Sequence, residues 1–291
     1  MSALAERLRE LRRESGAATL PIAPSRGVPE ELRRLLGIRA RAAVPILRSV
    51  AQDRHLPGVE LAPGLRCIEQ WVPWNDAPAD IDASFAGLGR IERERLLHFD
   101  TETTGLAGGT GTRAFMIGCA QWQGTQLRLR QLLITTLAAE PAMLTTFAEW
   151  VGADTVLVSY NGKSYDAPLL NTRYRLARQR SPLPGLSHLD LLHPARRRWR
   201  GVWENCRLAT IERHVLGVVR EDDLPGSEAP RAWLDFLRGG AARDLRRVGD
   251  HNFQDLRSLA ALLLHLSALT ETAPCPPDAC GSVPPAGPIQ A

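Results

Sequence analysis

The chain has 291 residues, 44% of them hydrophobic and 23% charged, with 24 Gly and 21 Pro. That is globular composition, with enough chain for one sizeable core or two small ones. No stretch approaches the roughly 18 apolar residues of a membrane span. Met1 to Glu14 interleaves Arg and Glu from the start, unlike a secretory signal. The five cysteines (Cys67, Cys119, Cys206, Cys275, Cys280) are odd in number and lack CxxC spacing, which disfavours a disulfide scaffold or a tetrahedral zinc site. The expectation is a reduced, cytoplasmic setting with no membrane partner. The net charge of +4 is unevenly spread. Between Asn171 and Arg220, 11 Arg stand against three acids, residues 1–50 carry 10 Arg against five Glu, and the remainder is acidic. A basic lobe beside an acidic remainder suits an anionic partner plus cations held by carboxylates, although an Arg-rich solvated surface reads the same way.

In chain order, residues 1–90 read as an irregular N-terminal extension, punctuated by Leu56-Pro57-Gly58 and Ala62-Pro63-Gly64. It is partly helical, with Leu4, Leu8 and Leu11 at helical spacing. Residues 91–270 are dense and regular. Leu96 to Asp100, Ala114 to Trp122 and Gln126 to Ile134 are predicted strands, the last two joined by a turn at Gln123-Gly124. Glu140 to Val151 is predicted helical and Thr155 to Tyr160 a short strand. A helix then opens at Pro168, where the missing N–H costs nothing. A further strand over Leu186 to Leu192 precedes helices over Leu208 to Leu216, Arg231 to Arg238 and Arg243 to Leu269. Residues 271–291 are Pro-rich and predicted to be a disordered tail. The order of elements indicates an α/β fold, a sheet layered with helices.

Three constellations carry chemistry. Asp100 and Glu102 lie two apart at the end of an apolar strand, so their side chains share a face. Carboxylates that close repel unless a hard cation lies between them; a strand that merely ends in polar residues would look the same. Asp166 follows Tyr160-Asn161-Gly162-Lys163-Ser164-Tyr165 just before a helix, where it could equally be an N-cap. Asp255 extends the apolar stripe of Leu259, Leu262 and Leu266 towards the core, with His251 one turn earlier on the same face. A carboxylate there is costly unless paired, hydrogen-bonded or bound to metal.

Phe-Asp-Thr-Glu-Thr-Thr-Gly at 99–105, Asn-Gly-Lys-Ser-Tyr-Asp at 161–166 and His-Asn-x-x-Asp at 251–255 together resemble the three motifs of the DEDD (DnaQ-like) 3′–5′ exonucleases. The closest branch is the YprB-like ribonuclease H-like domain, which Leu106 to Gly118, His188 to Leu192, Cys206 to Glu212 and Asp222 to Gly226 also resemble. The resemblance covers about residues 91–270. It implies a ribonuclease H-like mixed sheet, three antiparallel strands plus parallel ones, flanked by helices. It also implies hydrolysis of DNA or RNA from the 3′ end, with Asp100, Glu102, Asp166 and Asp255 as ligands of two divalent cations, Mg²⁺ or Mn²⁺. Two ions about 3.5–4 Å apart can activate water and stabilise both the attacking and the leaving oxygen. An all-oxygen site suits these metals better than zinc. His251 departs from the best-known patterns, standing at the spacing where one branch has Tyr. A near-neutral imidazole there suits proton abstraction from water, or its orientation; packing at the helix start is the alternative.

Thr103, Asn161 and Lys163 within the motifs, and Arg196, Arg197, Arg198 and Arg200 beside Trp199 and Trp203, are candidates for contacting substrate. A solvated helix face with Trp199 turned inward would fit the arginine run too. Asp190 is a candidate supporting residue, whereas Asp222 and Asp223 read as surface charge. Gly108-Gly109-Thr110-Gly111-Thr112 lacks the ending of a P-loop and is either a loop at the site's mouth or a turn. Two rival functions remain: a nucleic-acid-binding module without catalysis, and a metal-dependent phosphoesterase for small molecules.

Overall fold

The computed structural model describes residues 53–105, 111–221 and 223–271. The expected N-terminal helix, most of the Gly108–Thr112 loop, Asp222 and the tail lie outside the described residues. No helix among the described residues is long and apolar enough to cross a membrane.

The core is a seven-stranded mixed sheet. Its strands are β1 (Val59–Ala62), β2 (Leu65–Pro73), β5 (Leu96–Thr103), β6 (Ala114–Gln123), β7 (Gln126–Ile134), β8 (Val156–Ser159) and β9 (Ser187–Asp190). The spatial order is β1-β2-β7-β6-β5-β8-β9, while β3 (Asp80–Asp82) and β4 (Arg90–Glu92) form a separate two-stranded ribbon. From β1 to β5 the pairings are antiparallel, and β5, β8 and β9 pair in parallel. The antiparallel part therefore has five strands where three were expected. Nor does the sheet begin at the expected boundary near residue 90. β2 pairs with β7 over its whole length, from Leu65 opposite Ile134 to Pro73 opposite Gln126. The tight turn that permits this uses Gly64 at φ 78°, a left-handed conformation that favours glycine. Of the Pro-Gly punctuation that suggested irregular chain, Ala62-Pro63-Gly64 is thus the hairpin connection of β1 and β2, and Leu56-Pro57-Gly58 leads into β1.

The helices are α1 (Glu140–Glu149), α2 (Asp166–Leu176), α3 (Leu192–Trp199), α4 (Leu208–Ile211), α5 (Ala229–Leu237) and α6 (Arg243–Glu271). α4 runs on into a single π turn, Glu212–Leu216, that stops at Gly217. On α6, Leu256, Leu259, Leu262, Leu263 and Leu266 are all buried, the stripe its periodicity predicts. The helices α1 and α2 are tied by a buried ion pair in which Arg173 holds both carboxylate oxygens of Glu140. Across the sheet's end, Trp233 of α5 stacks on Phe115 and donates its indole N–H to the Ile134 carbonyl at 2.7 Å.

Candidate functional site

The register of β5 creates the site. Only Leu96 to His98 pair with β8, so from Asp100 onward β5 continues beside β6 alone. The crevice beyond β8 lies where the parallel and antiparallel parts of the sheet meet, at the carboxyl ends of parallel strands, a common place for ligands in α/β sheets. Alternation along β5 turns Asp100 and Glu102 towards α6 and turns Thr101 to the other side.

On the α6 side, Asn252 Nδ2 donates to Asp100 Oδ2 at 2.9 Å, and Asn252 Oδ1 accepts from Gln131 Nε2 at 3.0 Å. Asn252 is fully buried over Gly118 of β6, where any Cβ would lie 2.0 Å from its Oδ1. Glycine at 118 is what lets α6 approach closely enough for this bond. On the other side, the Thr101 hydroxyl donates to Asp166 Oδ1. Asp166 is the first residue of α2, so its carboxylate faces the crevice from the helix start and also takes backbone hydrogen bonds there.

The segment carrying Asp166 is held from β9. Asp190, buried, accepts from the backbone N–H groups of Asn161 at 2.7 Å, Lys163 at 3.1 Å and Leu192 at 3.1 Å. These bonds hold Asn161 at φ 70°, a left-handed conformation that Asn tolerates better than most non-glycine residues. The Lys163 side chain, by contrast, is exposed.

Burial, and then the charges of Asp255, Asp166 and Glu102, push Asp100 well above the usual carboxylate range. Glu102 is raised to about 7, chiefly by burial and by Asp255 and Asp166, against the opposing pull of His251. Asp166 is raised to about 6, mainly by burial. Asp255 is raised by burial although Arg220 and His251 work the other way. Four carboxylates from three distant stretches of sequence thus share one electrostatic environment, and that environment favours added positive charge.

Part of that charge comes from Arg220, which the sequence reading did not single out. Its guanidinium bonds Asp255 Oδ1, both oxygens of Glu212 at 2.6 and 2.8 Å, and Asp223 Oδ2 at 3.3 Å. Burial works against its charge, but these bonds raise its pKa further, so it stays cationic. Glu212 is itself buried, on the π turn, and also accepts from Ser258 of α6.

Asp223 is not surface charge, as had been expected. It lies 2.8 Å from His251 Nδ1, while His251 Nε2 is 3.6 Å from Asp255 Oδ2. Nδ1 thus faces both the Asp223 acceptor and the Arg220 guanidinium, 3.0 Å away, while Nε2 is turned towards the carboxylates. Burial lowers the His251 pKa, but Asp255, the Asp223 bond and Glu102 outweigh it, and the net direction is upward.

Each carboxylate except Glu102 is thus tied to a protein partner, and among the described residues no three His, Cys, Asp or Glu side chains form a ready-made cage for an ion. The donor chemistry nonetheless fits a hard divalent cation: oxygen ligands only, half-buried or buried, and mutually repelling. Asp100, Glu102, Asp166 and Asp255 would hold it, with Asp255 exchanging Arg220 for the metal.

A cavity of about 400 Å³ opens over Asp100 and Asp166, walled by Thr101, Thr103, Asn161, Tyr165 and Leu169. Tyr165 is 61% exposed at its mouth and had been overlooked. The arginine run does not act together. Arg196 lines a different cavity from Arg197 and Arg198, because successive residues on α3 point about 100° apart. Arg197 reaches back to the Phe85 carbonyl, and Trp199 is buried, stacked on Trp203. Arg197 and Arg198 therefore face away from the cavity that Arg196 lines, and Arg200 is exposed beside Trp203.

A model of the RNase_H superfamily matches residues 97–267, a span holding all four carboxylates and His251. The chain belongs to that superfamily and carries an RNase H-like domain of the YprB type. Over 195 residues it is 37% identical to the uncharacterized protein YprB of Bacillus subtilis (strain 168). That alignment covers 67% of this chain and 46% of the relative, so the chain spans about half the length of the protein it matches. Among solved structures, the family B DNA polymerase of the hyperthermophilic archaeon Pyrobaculum calidifontis aligns at 17% identity and TM-score 0.45, over 59% of this chain and 24% of that one.

Proposed function

We propose that this chain is a metal-dependent 3′–5′ exonuclease that hydrolyses phosphodiester bonds of DNA or RNA. The observation that carries the reading is the meeting of Asp100, Glu102, Asp166 and Asp255 in one partly buried, mutually repelling cluster at the open end of β5. Two Mg²⁺ or Mn²⁺ ions, when bound, supply activation of water and stabilisation of the attacking and leaving oxygens. The chain's own residues do the rest. His251, steadied through Nδ1 by Asp223, offers Nε2 to orient the attacking water or take its proton. Asn252 and Thr101 fix the rotamers of Asp100 and Asp166, and such fixed geometry lowers the cost of organising the reaction. Tyr165 and Leu169 give the cavity over Asp166 an apolar side on which a terminal nucleotide base can rest.

The test is hydrolysis of labelled single- and double-stranded DNA and RNA with Mn²⁺, resolved on a sequencing gel. Stepwise shortening from the 3′ end is expected. Asp100→Ala or Asp166→Ala should abolish it in a folded protein, and full activity in excess EDTA would rule the reading out. The second reading is nucleic-acid binding without catalysis. It is favoured by Arg220, which occupies Asp255 where a metal would bind. Binding with no cleavage under any of these conditions would establish it.

A further inference from the structure

Beyond Asn161 lies a second cavity, of about 430 Å³, lined by Tyr160, Asn161, Arg196, Asn205 and Arg207 among others. Asn161 lines both this cavity and the one over Asp100 and Asp166, so the two adjoin across a single residue whose backbone Asp190 pins. Their chemistry is opposite. The first is walled by carboxylates, whereas no acidic side chain lines the second.

Three donors in the second cavity have no acceptor among the described residues. Arg196 and Arg207 stand exposed at the cavity's rim, unlike Arg173 and Arg220, which are held by Glu140 and by Glu212 and Asp255. Neither Arg196 nor Arg207 makes an ion pair of this kind. Asn205 is fixed by its carbonyl, which accepts from the Arg207 backbone N–H and the Thr210 hydroxyl, both at 2.8 Å. Its NH₂ group is left as a donor. The cavity wall is itself held, because Tyr160 donates to the Cys206 carbonyl at 2.6 Å and so ties the Asp166 segment to the segment bearing Asn205 and Arg207. Two guanidinium groups and an amide donor, with no acidic side chain among the residues lining the cavity, suit a phosphate oxyanion.

We propose that this cavity binds a backbone phosphate of the nucleic-acid strand whose 3′ end lies in the neighbouring cavity, so that a strand is held at two points on either side of Asn161. The inference rests on the nuclease reading for what occupies the first cavity. It goes beyond that reading in giving the strand a path and a second anchor.

The experiment measures binding separately from cleavage. Fluorescence anisotropy of 5′-fluorescein-labelled dT₁₀ and U₁₀ is recorded with the full chain in EDTA, from 50 to 300 mM NaCl. For Arg196→Gln/Arg207→Gln, affinity for the decamer that the wild type binds is expected to fall about tenfold. The slope of log K against log salt should shrink by about 0.7, the value for one phosphate contact on a single strand. Arg196→Lys/Arg207→Lys should recover part of the affinity and most of the slope, because charge is kept while the fork geometry is lost. Arg197→Gln/Arg198→Gln removes the same charge from the other side of α3, where Arg197 meets Phe85, and controls for net charge alone. An equal loss in that control, an unchanged slope in the first variant, or no binding of either decamer by the wild type overturns the proposal. Binding with the expected slope change but no cleavage in Mn²⁺ leaves the cavity standing and refutes the nuclease reading instead.

Discussion

At Arg220 one guanidinium meets Glu212, Asp223 and Asp255, and Glu212 is only 1% exposed. Removing one partner of a buried pair leaves the other charge uncompensated, at a cost of about 3–5 kcal/mol. Arg220→Met is therefore expected to lose stability of that order, read by urea unfolding at neutral pH. A loss under about 1 kcal/mol would mean that the surrounding acids do not depend on it. In the proposed nuclease Asp223 acts through His251, whose Nδ1 it bonds. Breaking an outer hydrogen bond to an active histidine lowers activity by about 10–100-fold, so Asp223→Asn should lower kcat at least tenfold with little change in unfolding midpoint. His251→Ala should lower kcat roughly a hundredfold. The two substitutions should be far from additive, since they disable one unit. Additive losses would place Asp223 outside the His251 function.

At the scale of elements, the loop between β8 and α2 depends on β9. Three backbone N–H groups converge on Asp190, and Ser159 Oγ lies 2.7 Å from His188 Nε2. Burial holds His188 down to about 4, against the opposing charge of Asp190 and with a smaller contribution from Lys163. The sign follows directly. Below the ordinary histidine value of 6.5 the unfolded chain takes up a proton that the folded chain refuses until about pH 4. Stability from this group is thus complete above pH 6.5 and is lost as pH falls towards 4. Relative to wild type, His188→Gln should flatten the decline over that window by at most about 1.4 kcal/mol per pH unit. Urea midpoints measured at half-unit steps of pH check this, and parallel curves for the two proteins would refute it.

For the whole molecule, β1 and β2 complete the sheet. A fragment beginning at Ile91 would leave β7 with an open edge and remove Leu65 and Ile68 from the core. Long unpaired edges of this kind invite aggregation. That fragment is expected to be insoluble or unfolded, whereas one spanning residues 53–271 should melt cooperatively by circular dichroism. Cooperative melting of the shorter fragment, at the same temperature, would show β1 and β2 to be dispensable.

Much of this was legible in the sequence. Strands β5, β6 and β7 and the long helix α6 announce themselves because side-chain period is a local property: two along a strand, 3.6 around a helix. The same periodicity puts Asp100 with Glu102, and His251 with Asp255, on shared faces. Local pattern could not show that β2 pairs with β7, because a Pro-Gly hairpin and an irregular loop have the same composition and differ only in what their N–H groups find. Nor could it show Arg220 between Glu212 and Asp255, or Asp223 behind His251. Those partners are 8 to 35 residues apart along the chain. What brings them together is the π turn after α4 and the way the following loop lies against α6. A charge near a site has no sequence period, and its effect depends on distance and burial, which only the packed structure sets.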